Sequence, residues 1–204
     1  SDGMGIDNMA ASLNHLGLDS GQQVVIDGIE PGNLGFLVVA QGGPVECGFF
    51  ALPAEALVVS SDLIRAVETA TAVQGNRQRL PHMPALREIH FGDWELRSWK
   101  EIDAEDPARI RAYWESPGDT SPPGGESWNQ VCARVNDAID GLITAHAGRD
   151  LVIVGHFGQI LTQIQRAEGL SPEAAFSHRI DNLSLSELHY GPDGWRSGAL
   201  NQVL

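Results

Sequence analysis

Short apolar runs alternate along the chain with longer stretches in which apolar residues recur every three or four positions. Phe36–Ala40, Ala56–Val59 and Leu151–Val154 have the length and composition of strands. The last of these is apolar throughout, which is typical of a strand covered on both faces. Leu183–Tyr190 and Trp195–Leu200 flank a Gly-Pro-Asp-Gly sequence and predict a closing hairpin.

Helical periodicity is clearest over 127–147, where one face is apolar and polar residues such as Arg134 are expected to point outward. Ser127 is expected to cap this helix, with Glu126 beside it. The loop at 116–125 is rich in proline and glycine. The other predicted helices are Ile6–Leu18, one that begins near Asp62, Asp106–Glu115 and Gln159–Ala167.

The order of these elements predicts an α/β protein. Alternating strands and helices of this length favour a three-layer α/β/α sandwich with a mostly parallel sheet. We expect a single domain over 1–204, in which 1–35 form an atypical extension of one helix and one strand. That strand, Gln23–Asp27, could form a hairpin with Phe36–Ala40.

Charge and composition exclude several classes of function. The 27 acidic and 13 basic residues give a net charge of −14, which argues against nucleic acid and anionic membrane as partners. No apolar run approaches the ~20 residues of a membrane span, and the start of the chain does not resemble a signal peptide, so a cytoplasmic location is expected. Cys47 and Cys132 lack metal-ligand spacing and are expected to pack as small apolar side chains. No metal or other cofactor is expected.

The candidate chemistry lies at strand ends, where ligands collect in open α/β sheets. His156 follows the Leu151–Val154 strand at the start of a helix, and Arg65 lies in the first turn after Ala56–Val59. Glu88 lies between predicted elements. A cation, an imidazole and a carboxylic acid around a helix N-terminus could hold a phosphoryl group and protonate its leaving oxygen.

Five ordered motifs resemble those of the histidine phosphatase superfamily, the phosphoglycerate-mutase-like proteins, from Phe36 to Leu204. One motif alone is weak, but five in the right order are specific. They are Ser60-Ser61-Asp62-Leu63-Ile64-Arg65-Ala66, the segment Leu86-x-Glu88-x-x-Phe91-Gly92-x-Trp94-Glu95, Pro123-Gly124-Gly125-Glu126-Ser127, Val154-Gly155-His156-Phe157-Gly158 and Asp181-Asn182-Leu183-Ser184.

The resemblance implies a role for each matching residue. Arg65 would clamp phosphate, His156 would donate a hydrogen bond to it, and Glu88 would serve as proton donor and acceptor. Gly158, at the helix start, would also contact phosphate.

The resemblance also implies a histidine nucleophile in an Arg-His-Gly motif after the first strand. The corresponding strand here ends in Ala40-Gln41-Gly42, which supplies no nucleophile in either possible alignment. A carboxamide cannot carry a phosphoryl group, so covalent turnover should be lost, although Gln41 could still donate hydrogen bonds to an anion. Only 17 residues, Gly43–Val59, separate this strand from Ser60, where the resemblance implies a loop and a full helix. The helix Ile6–Leu18 is a candidate to fill the place of that helix.

The leading hypothesis is therefore a protein that binds a small phosphate ester or another small anion, with weak or no phosphatase activity. A second is an active phosphomonoesterase or mutase, in which Glu88 activates water or His15, His90 or His178 replaces the nucleophile. A third is a non-catalytic interaction domain for a basic or arginine-rich partner. The tryptophans Trp94, Trp99 and Trp114 are candidates for a lid, although packing is the usual role of tryptophan.

Overall fold

A computed structural model describes residues 34–40 and 52–203 of the chain. The predicted helix Ile6–Leu18 and strand Gln23–Asp27 lie outside the described residues, as do Gln41 and Cys47.

Five strands form one sheet in the described part of the chain. The first three come close to their predicted positions, and the last two form the predicted antiparallel hairpin. Their order across the sheet is β2-β3-β1-β4-β5. The strands are β1 (Leu34–Ala40), β2 (Leu57–Ser60), β3 (Leu151–His156), β4 (Leu185–Gly191) and β5 (Gly194–Ser197).

The sheet is not mostly parallel, so that prediction is wrong. The pairs β2–β3 and β1–β4 are parallel, whereas β1–β3 and β4–β5 are antiparallel. The hairpin accounts for one antiparallel pair. The other arises because β1 enters between β3 and β4 in the direction opposite to β3.

The helices predicted near Asp62 and over 106–115, 127–147 and 159–167 are present, whereas the sequence did not predict Trp99–Glu105 and Pro172–Ala175. Ser127 caps the long helix, since its Oγ accepts from the N–H of Gln130 and its N–H donates to the Gln130 side chain at 2.8 Å. Short 3-10 turns lie at Pro84–Leu86 and Gly92–Trp94. The helices are α1 (Ile64–Gln74), α2 (Trp99–Glu105), α3 (Pro107–Glu115), α4 (Trp128–Ala145), α5 (Phe157–Glu168) and α6 (Pro172–Ala175).

Strand alternation divides the apolar side chains of β2 and β3 between two clusters. On one face they pack with α4 and α5, and on the other with Ala66 and Ala70 of α1. Helices therefore cover both faces of these two strands. The first cluster contains Leu57, Val59, Leu151 and Ile153, and the second contains Val58, Val152 and Val154.

The aromatic residues of α2 and α3 form a third cluster. Trp94 is buried among Ile102, Ile110 and Tyr113, and its ring meets that of Tyr113 edge to face. Trp99 and Trp114 pack against the same cluster, so the structure favours packing over a lid for all three tryptophans.

Cys132 packs against the main core, as the sequence predicted, and burial raises the pKa of its thiol to about 11.

None of the described helices combines the length and the apolar character that crossing a bilayer requires.

Candidate active site

Two parallel strands deliver the central side chains of the site to one edge of the sheet. Ser60, the last residue of β2, pairs with Val154 of β3. Ser61 and His156 therefore leave the sheet at the same edge, and both side chains are completely buried. Arg65 follows in the first turn of α1.

Both ring nitrogens of His156 have a polar neighbour. Nε2 lies 2.7 Å from Ser61 Oγ, and Nδ1 lies 3.4 Å from Arg65 Nη2. A guanidinium only donates, so Nδ1 accepts, and a neutral ring then carries its proton on Nε2 and donates it to Ser61. Burial, followed by the positive charges of Arg65 and Arg134, lowers the pKa of His156 to about 3, which keeps the ring neutral.

The Glu88 carboxyl comes to the same place from the loop after α1. Its Oε1 accepts hydrogen bonds from the N–H of Ile89 and from the N–H of Gly158, each at 2.9 Å. Gly158 lies in the first turn of α5, immediately beyond His156. The structure thus brings Arg65, His156, Glu88 and Gly158 together, as the sequence predicted.

Glu88 is poised to exchange a proton near neutral pH. Burial raises the pKa of its carboxyl to about 7, although the two N–H donors and the charges of Arg65 and Arg134 act in the opposite direction. Such a group can both give and take a proton at neutral pH, which a general acid or base requires.

The backbone N–H of Gly158, which is predicted to contact phosphate, donates a hydrogen bond to Glu88 Oε1. An ideal Cβ at this position would lie 2.6 Å from Glu88 Oε1 and 2.6 Å from Ile89 Cδ1. Glycine is therefore needed here for the close approach of the carboxyl.

The resemblance would place Ala40, at the end of β1, in the position of the family's arginine near His156, and this prediction is wrong because β1 runs antiparallel to β3. Leu34, at the start of β1, lies opposite His156, and Val39 lies opposite Leu151. Ala40 is at the far end of the strand, about 20 Å away at roughly 3.3 Å per residue. Ala40 pairs with His189 of β4. Gln41 lies outside the described residues, so its role stays a prediction.

The histidines considered as substitutes have other neighbours. His178 Nε2 lies 3.5 Å from Glu168, the last residue of α5, whereas His156 precedes the first. His90 is exposed, and its Nε2 lies 3.5 Å from Glu95. His15 lies outside the described residues.

Sequence reasoning missed two residues of the site. Ser61 lies within a recognised motif, but the sequence pattern assigns it no role. Arg134 was expected to point outward, yet its guanidinium is partly buried and binds Glu126 and the backbone of the Glu88 segment. The signal in the sequence that could have revealed this contact is the position of Arg134 at the border of the apolar face of α4.

Within 34–40 and 52–203, no group of three or more His, Cys, Asp or Glu side chains could hold a metal ion.

The fold and the site geometry define an α/β protein with a polar site at one edge of its sheet, and a family model identifies its superfamily. The model of the histidine phosphatase superfamily (branch 1) matches residues 50–203. The chain belongs to this superfamily.

Curated relatives match parts of the chain. It is 33% identical over 127 residues to an adenosylcobalamin/alpha-ribazole phosphatase of Escherichia coli (strain K12), a match that covers 61% of this chain and 62% of that protein. It is 38% identical over 113 residues to a glucosyl-3-phosphoglycerate phosphatase of Mycolicibacterium vanbaalenii, covering 51% of this chain and 49% of the relative. The matches thus span about half to three fifths of these relatives' lengths.

Solved structures agree in fold. YhfR of Bacillus stearothermophilus superposes with a TM-score of 0.70 at 21% identity, over 83% of this chain and 98% of that one. A mycobacterial glucosyl-3-phosphoglycerate phosphatase solved with VO3 superposes with a TM-score of 0.63 at 23% identity, over 84% of this chain and all of that one (100%).

Proposed function

We propose that this protein binds a small phosphate ester at the edge formed by β2 and β3, and that it has weak or no phosphatase activity. The observation that carries the proposal is the convergence of Arg65, His156 and Glu88 from three separate segments. Their chemistry suits a phosphoryl group, because a guanidinium and an imidazole can bind its oxygens and a carboxylic acid can protonate its leaving oxygen.

Arg65 has donor capacity to offer an anion. Its Nε is buried without a hydrogen-bond partner, and its Nη2 makes only the long 3.4 Å contact with His156 among the described residues. An oxyanion between the two side chains would replace that contact with charge-assisted hydrogen bonds. The His156 proton would then have to face the anion, and Ser61 permits this because a hydroxyl can donate to Nε2 as well as accept from it.

Weak turnover is proposed because the neighbouring strand offers no nucleophile beside His156. The residues of β1 nearest to it are Leu34 and Gly35, neither of which can carry a phosphoryl group. The relatives' names identify them as phosphatases, which supports a phosphorylated ligand. The net charge of −14 supports a small anion held by local arginine rather than a nucleic acid.

Replacing Arg65 is the direct test. Isothermal titration calorimetry with inorganic phosphate should detect binding to the unaltered chain, and Arg65→Ala should weaken it at least about tenfold, since a charge-assisted hydrogen bond is worth about 1.5–3 kcal/mol. Arg111→Ala, which removes an exposed arginine paired with Asp103, should leave the affinity unchanged. Equal binding by Arg65→Ala and the unaltered chain would refute the proposal.

A second candidate is a phosphomonoesterase in which Glu88 activates water. The pKa of about 7 favours it, because a large fraction of the carboxyl would be ionised at neutral pH and able to accept a proton. Under this alternative an aryl phosphate would be hydrolysed without an acid-labile phosphoenzyme, and Glu88→Gln would abolish the hydrolysis. Negligible hydrolysis by the unaltered chain favours the first candidate.

A further inference from the structure

One guanidinium, that of Arg134 in α4, ties down the backbone of the segment that carries Glu88. Its Nη1 donates to the carbonyl oxygens of Ala85 at 2.8 Å and Arg87 at 3.1 Å. Its Nη2 donates to the carbonyl oxygen of Glu88 itself at 3.4 Å. Three carbonyl oxygens within four residues are therefore held by a single side chain.

The guanidinium is in turn held by Glu126. Arg134 Nε lies 2.7 Å from Glu126 Oε1, and Nη2 lies 2.7 Å from Oε2, which is a forked arrangement of two hydrogen bonds. The same carboxylate accepts the N–H of His90 at 3.0 Å, two residues beyond Glu88. Because both side chains of the pair are only 23% exposed, solvent screens this contact weakly.

The other side of Glu88 is held by α5. Its carboxyl oxygen accepts from Gly158 N–H at 2.9 Å, and a side chain at Gly158 would overlap it. This contact leaves little tolerance for movement of the segment. Arg134 of α4 thus binds the backbone around Glu88, and the N–H of Gly158 in α5 binds the Glu88 carboxyl.

We propose that Arg134, locked by Glu126, is the positioning residue for Glu88, which it keeps in hydrogen-bond contact with the N–H of Gly158. Arg134 touches the backbone and not the carboxyl of Glu88, so it acts through the placement of that group. This role rests on the proposed function, which it extends to a residue outside the anion site, but it is tested on the ligand-free protein. Its failure is therefore separate from a failure to bind phosphate.

Position and charge have to be separated, because Arg134 also acts on Glu88 through its charge. Among the described residues, the charged and titratable groups that act on Glu88, or on which it acts, are Arg65 from α1, Arg134 from α4 and Tyr113 from α3. Lysine at position 134 keeps the charge and an ion pair with Glu126, but an ammonium cannot form the fork and reach three carbonyl oxygens.

The experiment is amide hydrogen exchange at Gly158, measured by NMR without ligand. Arg134→Lys and Arg134→Ala should both speed this exchange by about tenfold, because the Gly158 N–H loses the acceptor that Glu88 supplies. Arg109→Ala, in the exposed pair with Asp106, should not change it. An unchanged exchange rate in Arg134→Lys would overturn the proposal, whether Arg134→Ala changes it or not. Since Arg134→Lys keeps the ion pair, it is the variant that decides if Arg134→Ala does not fold.

Discussion

Glu88→Gln is expected to raise the free energy of unfolding by about 3 kcal/mol at pH 8 and by less than about 1 kcal/mol at pH 5. The carboxyl has a pKa of about 7 in the folded protein and an ordinary value of 4.5. Between these values the folded state binds more protons than the unfolded state, so stability falls as pH rises. Glutamine keeps the oxygen that accepts the two N–H groups and cannot ionise.

Denaturant unfolding at the two pH values measures this effect. The same substitution at the exposed Glu115 provides the control and should leave the difference between pH 5 and pH 8 as it is in the unaltered chain. A loss of stability in Glu88→Gln at pH 8 would mean that the ionised carboxyl is favoured in the fold, contrary to the burial that governs it here.

Gly158→Ala is expected to destabilise the protein by about 2 kcal/mol, whereas Gly141→Ala should stabilise it by about 0.5–1 kcal/mol. Both glycines lie in helices, so both gain helix propensity from alanine. A Cβ at Gly158 would lie 2.6 Å from Glu88 Oε1, but a Cβ at Gly141 meets nothing within 4 Å. Overlap in a buried site outweighs the gain in propensity.

The opposite signs make this pair informative. Thermal or denaturant unfolding of the two variants and of the unaltered chain measures both changes in stability. In Gly158→Ala the Glu88 carboxyl should also be displaced from the start of α5, and a titration of that carboxyl should detect the displacement. If both alanine variants stabilise the protein, the close approach of Glu88 to α5 is not present in solution.

Much of the fold could be predicted from the sequence, because local pattern and local structure agree in α4, β3 and α5. Apolar residues at helical spacing and the Ser127 cap define α4. A continuous apolar run followed by His156 and an amphipathic stretch defines the strand and the next helix. The sequence also predicts that His156 and Arg65 lie at one edge of the sheet, because parallel strands have their carboxyl ends on the same side.

The direction of β1 could not be predicted. Leu34–Ala40 contains no polar residue, so its pattern states that it is a strand but not which way it runs. Reading it as parallel to β3 put Ala40 beside His156, whereas the observed pairing puts Leu34 there. The absence of a nucleophile beside His156 stays a prediction.

The role of Arg134 was missed for a related reason. Helical periodicity separates apolar from polar positions but does not distinguish a solvated arginine from one that binds a neighbouring loop. Only the approach of the segment around Glu88 to α4, with Glu126 beside it, reveals the partners of Arg134.

A crystal structure of the protein soaked in vanadate would test the central claim most directly. The account predicts one ion between α1 and the end of β3, within about 3 Å of both an Arg65 nitrogen and His156 Nδ1, as hydrogen bonds require. Glu88 should remain against Gly158, with its second carboxyl oxygen near the ion. A vanadate ion bound elsewhere would contradict the account. So would a structure at saturating vanadate in which Arg65 still contacts His156 and no ion lies between them.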